Sequence, residues 1–212
     1  MKGMIFYMNT IELLSPAGDF DSLKAAVQNG ADSVYLGGNL FNARHSATNF
    51  DNDLLKEAIK YCKLRNVKTN LTLNTLIKNN EFEPALNLAK FAYESGIDAI
   101  IVQDLGLAKF LIKNLPDLPI HASTQMTVHN LDGVLALEKL GFKRVVLSRE
   151  LSINEIEYIC KNCNVEIEVF IHGALCISYS GECLASSFIG GRSGNRRKMC
   201  STMQTSIYSF RK

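Results

Sequence analysis

The sequence predicts an α/β fold, a (β/α)8 TIM-type barrel that is incomplete, with about seven strands present. Short apolar runs rich in β-branched residues alternate with amphipathic helical stretches, at intervals of roughly 20 to 35 residues, as in repeated βα units. A glycine followed by a short apolar strand recurs at Gly30, Gly96 and Gly141. No predicted strand is followed by Gly-x-Gly-x-x-Gly, so a dinucleotide-binding fold has no support.

The predicted elements follow one another along most of the chain. The predicted strands are residues 11–14, 31–37, 68–73, 99–102, 120–123, 145–147 and 165–171. The predicted helices are residues 20–28, 52–64, 81–94, 105–113, 129–139 and 153–161. We therefore divide the chain into an N-terminal tail (1–10), an incomplete barrel domain (11–189) and an aberrant C-terminal tail (190–212).

Composition excludes several classes of protein. The 212 residues are 47% hydrophobic and 21% charged, which is typical of a globular domain with one substantial core. The net charge of +2 is too small to predict a nucleic-acid partner from the electrostatic field alone. No apolar run is long enough for a signal peptide or a membrane span, so we expect a cytoplasmic protein with no membrane partner. The six irregularly spaced cysteines then indicate reduced thiols or metal ligands.

Polar residues follow nearly every predicted strand. In TIM barrels the functional residues lie at the carboxyl ends of the strands. The candidates at these ends are Tyr35, Asn74, His121, Gln125, Arg149, Glu150, Glu168 and His172. The alternative is that strand ends are polar in any fold. The segments Arg149-Glu150 and His121 to Gln125 favour a functional site, because they are unusually rich in polar side chains.

Two loops add further candidates. The loop after the second strand carries Arg44 and His45 among aromatic and amide residues, which suits an anionic or planar ligand, although an ordinary surface loop has the same composition. Cys176 and Cys183 flank a Ser-Tyr-Ser-Gly turn after the seventh strand. Two spaced cysteines are as readily small core residues as metal ligands.

Motifs spread along the chain resemble those of one family. They are Glu12-Leu13-Leu14-Ser15-Pro16-Ala17-Gly18, Gly30-Ala31-Asp32, His121-Ala122-Ser123-Thr124-Gln125, Ser148-Arg149-Glu150-Leu151, and Glu168-x-Phe170-x-His172-Gly173-Ala174-Leu175-Cys176 with Ser178-Tyr179-Ser180-Gly181-x-Cys183. Together they resemble peptidase family U32, the collagenase-like proteases, over about residues 11–196. The resemblance is greatest to the branch that is linked to hydroxylation of rRNA or tRNA bases.

The resemblance implies an iron–sulfur-dependent RNA base hydroxylation enzyme, with Cys176 and Cys183 as thiolate ligands. In this hypothesis Arg149, Arg44 and His45 hold an RNA phosphate or a small anionic co-substrate, while Tyr35 and Asn74 contact the substrate. Glu168 and His172 orient groups or move protons, and Glu150, His121 and Gln125 complete the catalytic set. The alternatives are a peptidase acting on a peptide substrate, with a metal at His121 and His172, and a non-catalytic RNA-binding module.

The tail after Arg196 departs from the family pattern. In similar sequences a Gly-Lys or Gly-Arg pair precedes Cys-Ala-Gln-Pro-Cys-Arg-Leu-Pro-Tyr. When suitable codons are chosen for that stretch and one base is inserted before them, the shifted reading frame encodes every residue from Arg197 to Ile207. We therefore expect a frameshift after the Arg196 codon. Cys200, the third candidate metal ligand, would then be an accidental neighbour of a lost family cysteine. Because Cys176 and Cys183 alone cannot complete a four-thiolate cluster, we expect the truncated product to be inactive.

Overall fold

The computed structural model of the chain describes residues 11–43, 48–173, 176 and 178–183. Its strands are β1 (Leu14–Ala17), β2 (Ser33–Gly37), β3 (Lys68–Leu73), β4 (Ala99–Val102), β5 (Ile120–Ala122), β6 (Arg144–Val146) and β7 (Glu166–Glu168). Its α-helices are α1 (Phe20–Gln28), α2 (Asn52–Lys63), α3 (Asn79–Ser95), α4 (Leu105–Asn114), α5 (Leu131–Leu140) and α6 (Ile153–Asn162). A 3-10 turn, Thr124–Met126, follows β5.

The strands form one parallel sheet in chain order, β1-β2-β3-β4-β5-β6-β7. One helix separates each strand from the next, so every connection is a βα unit that places its helix on the same outer face of the sheet. Within the described residues β1 pairs only with β2, and β7 only with β6. The molecule is therefore an open half-barrel, and the predicted fold class and number of strands are confirmed.

Local sequence signals begin and end the helices. Asp19, Asp51 and Asp104 accept hydrogen bonds from backbone amides in the first turns of α1, α2 and α4. Gly96 and Gly141 adopt left-handed conformations, with φ of 87° and 103°, directly after α3 and α5. The helices bury their apolar faces on the outer side of the sheet, against residues that include Val34, Leu36, Leu71, Leu73, Ile100, Val102, Ile120, Ala122, Val145 and Leu147.

Two predicted strands are wrong in their bounds. The first strand is Leu14–Ala17 rather than residues 11–14, because it pairs with Ser33 to Leu36 and runs through Pro16. Proline is tolerated there because β1 is an edge strand of the described sheet. The seventh strand stops at Glu168 rather than at residue 171, because its partner β6 offers only three residues. Ile171 is consequently exposed.

The described helices include none that is long and apolar enough to cross a membrane. The predicted N-terminal tail (1–10) and C-terminal tail (190–212) lie outside the described residues. Their boundaries therefore stay predictions.

Candidate functional site

The segment after β7 returns to the carboxyl ends of β5 and β6, where residues 178–183 form a turn, here called the mouth turn. Ser180 is its buried anchor, and each of its polar groups is used. The Ser180 amide donates to Glu150 Oε1 (2.9 Å), and its carbonyl accepts from Thr127 Oγ1 (3.0 Å). Its hydroxyl lies 3.2 Å from both Glu150 Oε1 and Arg149 Nε. The loops after β5 and β6 therefore hold the mouth turn in place.

Two charged residues, Arg149 and Glu150, hold the mouth turn. Arg149 Nη2 donates to the Ser178 carbonyl (3.0 Å), and Glu150 Oε2 lies 3.3 Å from His129 Nε2. Burial acts to raise the pKa of Glu150, but hydrogen bonds from Ser180 and the nearby Arg149 charge outweigh it and lower that pKa. Glu150 is therefore an ionised acceptor at neutral pH.

Gly181 allows the mouth turn to approach the loop after β5. Its φ of 80° lies in the left-handed region, and a Cβ atom there would lie 2.3 Å from Thr127 Oγ1 and 2.7 Å from the Gln125 carbonyl oxygen. Any larger residue at position 181 would push the turn away from the sheet.

The two candidate metal-binding cysteines lie on either side of this anchored segment. Cys176 is exposed, Cys183 is partly buried, and both are free thiols. Arg149 and Glu150 hold Ser180, which lies between the two cysteines in the chain, at the carboxyl end of the half-barrel. A role of the two thiols as metal ligands stays a prediction.

A second group of charges lies at the opposite, amino-terminal end of the strands. We call it the inner cluster: Glu12, Lys68, Arg144, Glu166 and Glu168. Arg144, with 10% of its side chain exposed, contacts Glu12 at 2.9 Å, Glu166 at 2.6 Å and Glu168 at 3.4 Å. Lys68 Nζ lies 2.7 Å from Glu12 Oε2. Arg144 thus links β7 to the segment that precedes β1. Strands β1 and β7 are the two edge strands of the described sheet.

The inner cluster sets opposite pKa shifts on its carboxylates. Burial acts to raise the pKa of Glu12, but hydrogen bonds from Arg144, Lys68 and Ser33 together outweigh it and lower that pKa to about 2. Burial raises the pKa of Glu168, and Arg144 only partly offsets this effect. For Arg144 itself burial acts to lower the pKa, but the bonds to Glu12 and Glu166 raise it. The amino-terminal rim therefore carries a partly buried ion-pair network.

Two predicted catalytic residues face this network rather than the mouth turn. Glu168 has its described ion pair with Arg144, at the amino-terminal end of β6. His121 lies within β5, beside Arg144, with only 5% of its surface exposed. Burial and the Arg144 charge lower the pKa of His121 to about 3, and its Nδ1 has no hydrogen-bond partner among the described residues. His121 is therefore a neutral interior residue at physiological pH, and a catalytic role for either residue stays a prediction.

The remaining predicted residues are spread around the carboxyl ends. Asn74 Oδ1 accepts from the Ala43 amide (3.1 Å), so it holds the loop that follows β2. The Gln125 carbonyl accepts from Gln103 Nε2 (3.3 Å), and Tyr35 is half-buried within β2. His172 is exposed, beyond the end of β7. Arg44, His45 and Cys200 lie outside the described residues.

Sequence reasoning missed the residues that organise both groups. Arg144 and Glu12 were not candidates, because their contact spans 132 residues of sequence and leaves no local pattern. Ser180 and Thr127 were also missed, although Ser180 belongs to the quoted Ser-Tyr-Ser-Gly motif. A serine that repeats within a motif between two candidate ligands was the signal that could have found the anchor.

The described residues do not supply a complete metal site. Across the part of the chain that the structure describes, no group of three or more His, Cys, Asp or Glu side chains could hold a metal ion. Cys176 and Cys183 offer two thiolates, whereas an iron–sulfur cluster takes about four cysteine ligands. The described donor set is thus compatible with one side of such a cluster and insufficient for the whole of it.

Solved structures of other proteins have a similar fold. A solved U32 peptidase gives a TM-score of 0.62 at 15% identity, covering 76% of this chain and 68% of that chain. A phosphonopyruvate hydrolase gives 0.54 at 12% identity, covering 95% and 80%. At these identities the similarity concerns the fold alone.

Curated relatives are closer in sequence. The chain is 41% identical to the 23S rRNA 5-hydroxycytidine synthase of Escherichia coli, covering 88% of this chain and 28% of that protein. It is 35% identical to tRNA hydroxylation protein P1 of Bacillus subtilis (89% and 45%) and 41% identical to an uncharacterized protease of Methanocaldococcus jannaschii (89% and 47%). The chain therefore spans less than half the length of each of these relatives.

The family assignment rests on most of the chain. The sequence profile of Peptidase family U32 matches residues 18–210. The matched range includes the segment after Arg196, where the frameshift stays a prediction. With this match, the relatives at about 40% identity and the seven-stranded half-barrel together, the chain belongs to Peptidase family U32.

Proposed function

We propose that this protein acts in the hydroxylation of a base in rRNA or tRNA, and that the mouth turn carries its reactive centre. The single observation behind this proposal is the attachment of the mouth turn through Ser180, because Arg149 and Glu150 bind the segment that connects Cys176 to Cys183. Relatives named for rRNA and tRNA hydroxylation support the choice of substrate class.

In this proposal an iron–sulfur cluster supplies the redox chemistry, and Cys176 and Cys183 provide two of its thiolates. Further thiolates would have to come from outside the described residues. Glu150 keeps the segment between the two thiols in place by accepting from Ser180. Arg149 keeps 27% of its side chain exposed at the same edge and offers a positive charge to an RNA phosphate or a small anionic co-substrate.

Deletion of the gene from its native host tests this function. Because a frameshift is predicted after Arg196, the gene is first resequenced. We expect the deletion to remove a hydroxylated nucleoside from digests of rRNA or tRNA, measured by mass spectrometry, and the resequenced gene to restore it. An unchanged set of hydroxylated nucleosides in the deletion strain would contradict the proposal.

Peptide hydrolysis is the second candidate, because one relative at 41% identity is named as a protease. A peptidase needs a nucleophile or a metal-bound water. His121 and His172, the predicted metal ligands for this activity, differ sharply in burial: one is interior and the other exposed. Peptide cleavage by the purified protein that survives Cys176→Ser would favour this candidate over RNA hydroxylation.

A further inference from the structure

We propose that Tyr179 is a stacking platform for an unpaired nucleobase of RNA. The inference deepens the proposed function and rests on it, since it names the residue of the mouth turn that would receive the base. It follows from the fixed backbone around Tyr179, the exposure of its ring, and its position between the two thiols.

The backbone on both sides of Tyr179 is held by side chains from other elements. The Ser178 carbonyl accepts from Arg149 Nη2 (3.0 Å), and the Ser180 amide and carbonyl bind Glu150 and Thr127. The Glu182 amide donates to the Tyr179 carbonyl (3.1 Å), which closes the turn. The direction in which the Tyr179 side chain leaves the backbone is therefore set before any ligand arrives.

The ring itself is left largely open to solvent. Tyr179 is 67% exposed, and its described ring contact is with His129, at 6.4 Å between centroids and an interplanar angle of 56°. A rigidly attached aromatic ring loses little conformational entropy when a planar ligand stacks on it. The observed arrangement, a fixed backbone with an exposed ring, is the one that stacking requires.

The surroundings of Tyr179 favour a nucleobase over other planar groups. Proteins that bind single-stranded nucleic acid combine an aromatic platform with cations that follow the backbone, and Arg149 contacts the residue next to Tyr179. Tyr179 lies three residues after Cys176 and four before Cys183. At roughly 3.5 Å per extended residue, its Cα lies within about 14 Å of either cysteine Cα. A base stacked on Tyr179 would therefore be close to the proposed reactive centre.

The chain contains no tryptophan, so Tyr179→Trp introduces a single fluorescent reporter. Tyr158→Trp is the matched control, because Tyr158 is similarly exposed (60%) but lies on α6. The probes are a single-stranded pyrimidine hexanucleotide RNA and the same backbone without bases. We expect saturable quenching of Tyr179→Trp by the base-containing probe alone, and none for Tyr158→Trp. Absence of quenching, equal quenching in the control, or equal quenching by the abasic probe would each overturn the inference.

Binding of a labelled hexanucleotide by the unlabelled protein gives an independent readout. Tyr179→Ala should weaken binding roughly 5- to 100-fold, the fold-change expected for loss of one base–aromatic stack, whereas Tyr179→Phe should bind as wild type. Equal binding by Tyr179→Ala would overturn the inference. The gene deletion tests the proposed function separately. If the deletion leaves the nucleosides unchanged but Tyr179→Trp reports stacking, Tyr179 binds a base and the proposed hydroxylation is wrong.

Discussion

Arg144→Met should destabilise the fold strongly although Arg144 lies far from the mouth turn. The substitution keeps an unbranched side chain but removes the cation that Glu12 and Glu168 share. The side chains of these two carboxylates are 20% and 17% exposed, respectively. Removing one partner of a buried ion pair costs about 3 to 5 kcal/mol. Lys68 and Ser33 still contact Glu12, so we expect about 2 to 4 kcal/mol here.

The pH dependence of this loss follows from the two carboxylates. Glu12 has a folded pKa of about 2, below its usual 4.5, so its stabilisation is full above pH 4.5 and is lost as the pH falls toward 2. Glu168 has a raised folded pKa, so it opposes folding when ionised and this penalty is relieved by protonation. Both effects make the cost of Arg144→Met largest near neutral pH and smaller below pH 4.5.

Urea denaturation followed by circular dichroism at pH 7 and pH 4 measures the difference in unfolding free energy. Lys90→Met is the control, because Lys90 and Glu94 form an exposed pair at 3.8 Å whose loss should cost less than about 0.5 kcal/mol. If Arg144→Met costs no more than this control at pH 7, the inner cluster does not stabilise the open sheet and the reasoning is wrong.

Further predictions concern the mouth turn and the interior. Gly181→Ala should increase the reaction rate of the Cys183 thiol with a maleimide by detaching the turn; Gly30→Ala, with equally positive φ but open space around the added Cβ, should leave that rate unchanged. Ser180→Ala should raise amide hydrogen exchange in residues 178–183, measured by mass spectrometry, because three side-chain contacts are lost. The unfolding free energy should fall as the pH drops from about 6.5 toward 3, because His121 is protonated in the unfolded chain but not in the folded one. His121→Gln should flatten this slope, and an unchanged slope would show that His121 is not a buried neutral residue.

The sequence predicts the number and order of the elements because local signals determine them. Helix caps such as Asp51 and Asn130, and glycines such as Gly141, sit next to the residues whose conformation they set. The bounds of β1 and β7 were wrong because each edge strand ends where its neighbour ends, and neighbour pairing is not written in either segment.

The candidate site was predictable only in part. Cys176, Arg149 and Glu150 were candidates because motifs place them after strands. The partners of Glu150 and Glu168 were not predicted. Ser180 contacts Glu150 and Arg144 contacts Glu168, and both pairs are far apart in the sequence. Polar residues at a strand end do not reveal toward which end of the barrel their side chains turn.

We propose that Cys176 and Cys183 belong to the reactive centre of an RNA hydroxylation protein. The content of hydroxylated nucleosides in rRNA and tRNA is measured in deletion strains that carry the gene in its full reading frame, either as wild type or with Cys176→Ser, Cys183→Ser or Cys160→Ser. Cys160 is the control, because its thiol is exposed and free on α6. We predict that wild type and Cys160→Ser restore the modification and that Cys176→Ser and Cys183→Ser do not. Restoration by Cys176→Ser and Cys183→Ser at the wild-type level would show that the reaction does not need these two thiols.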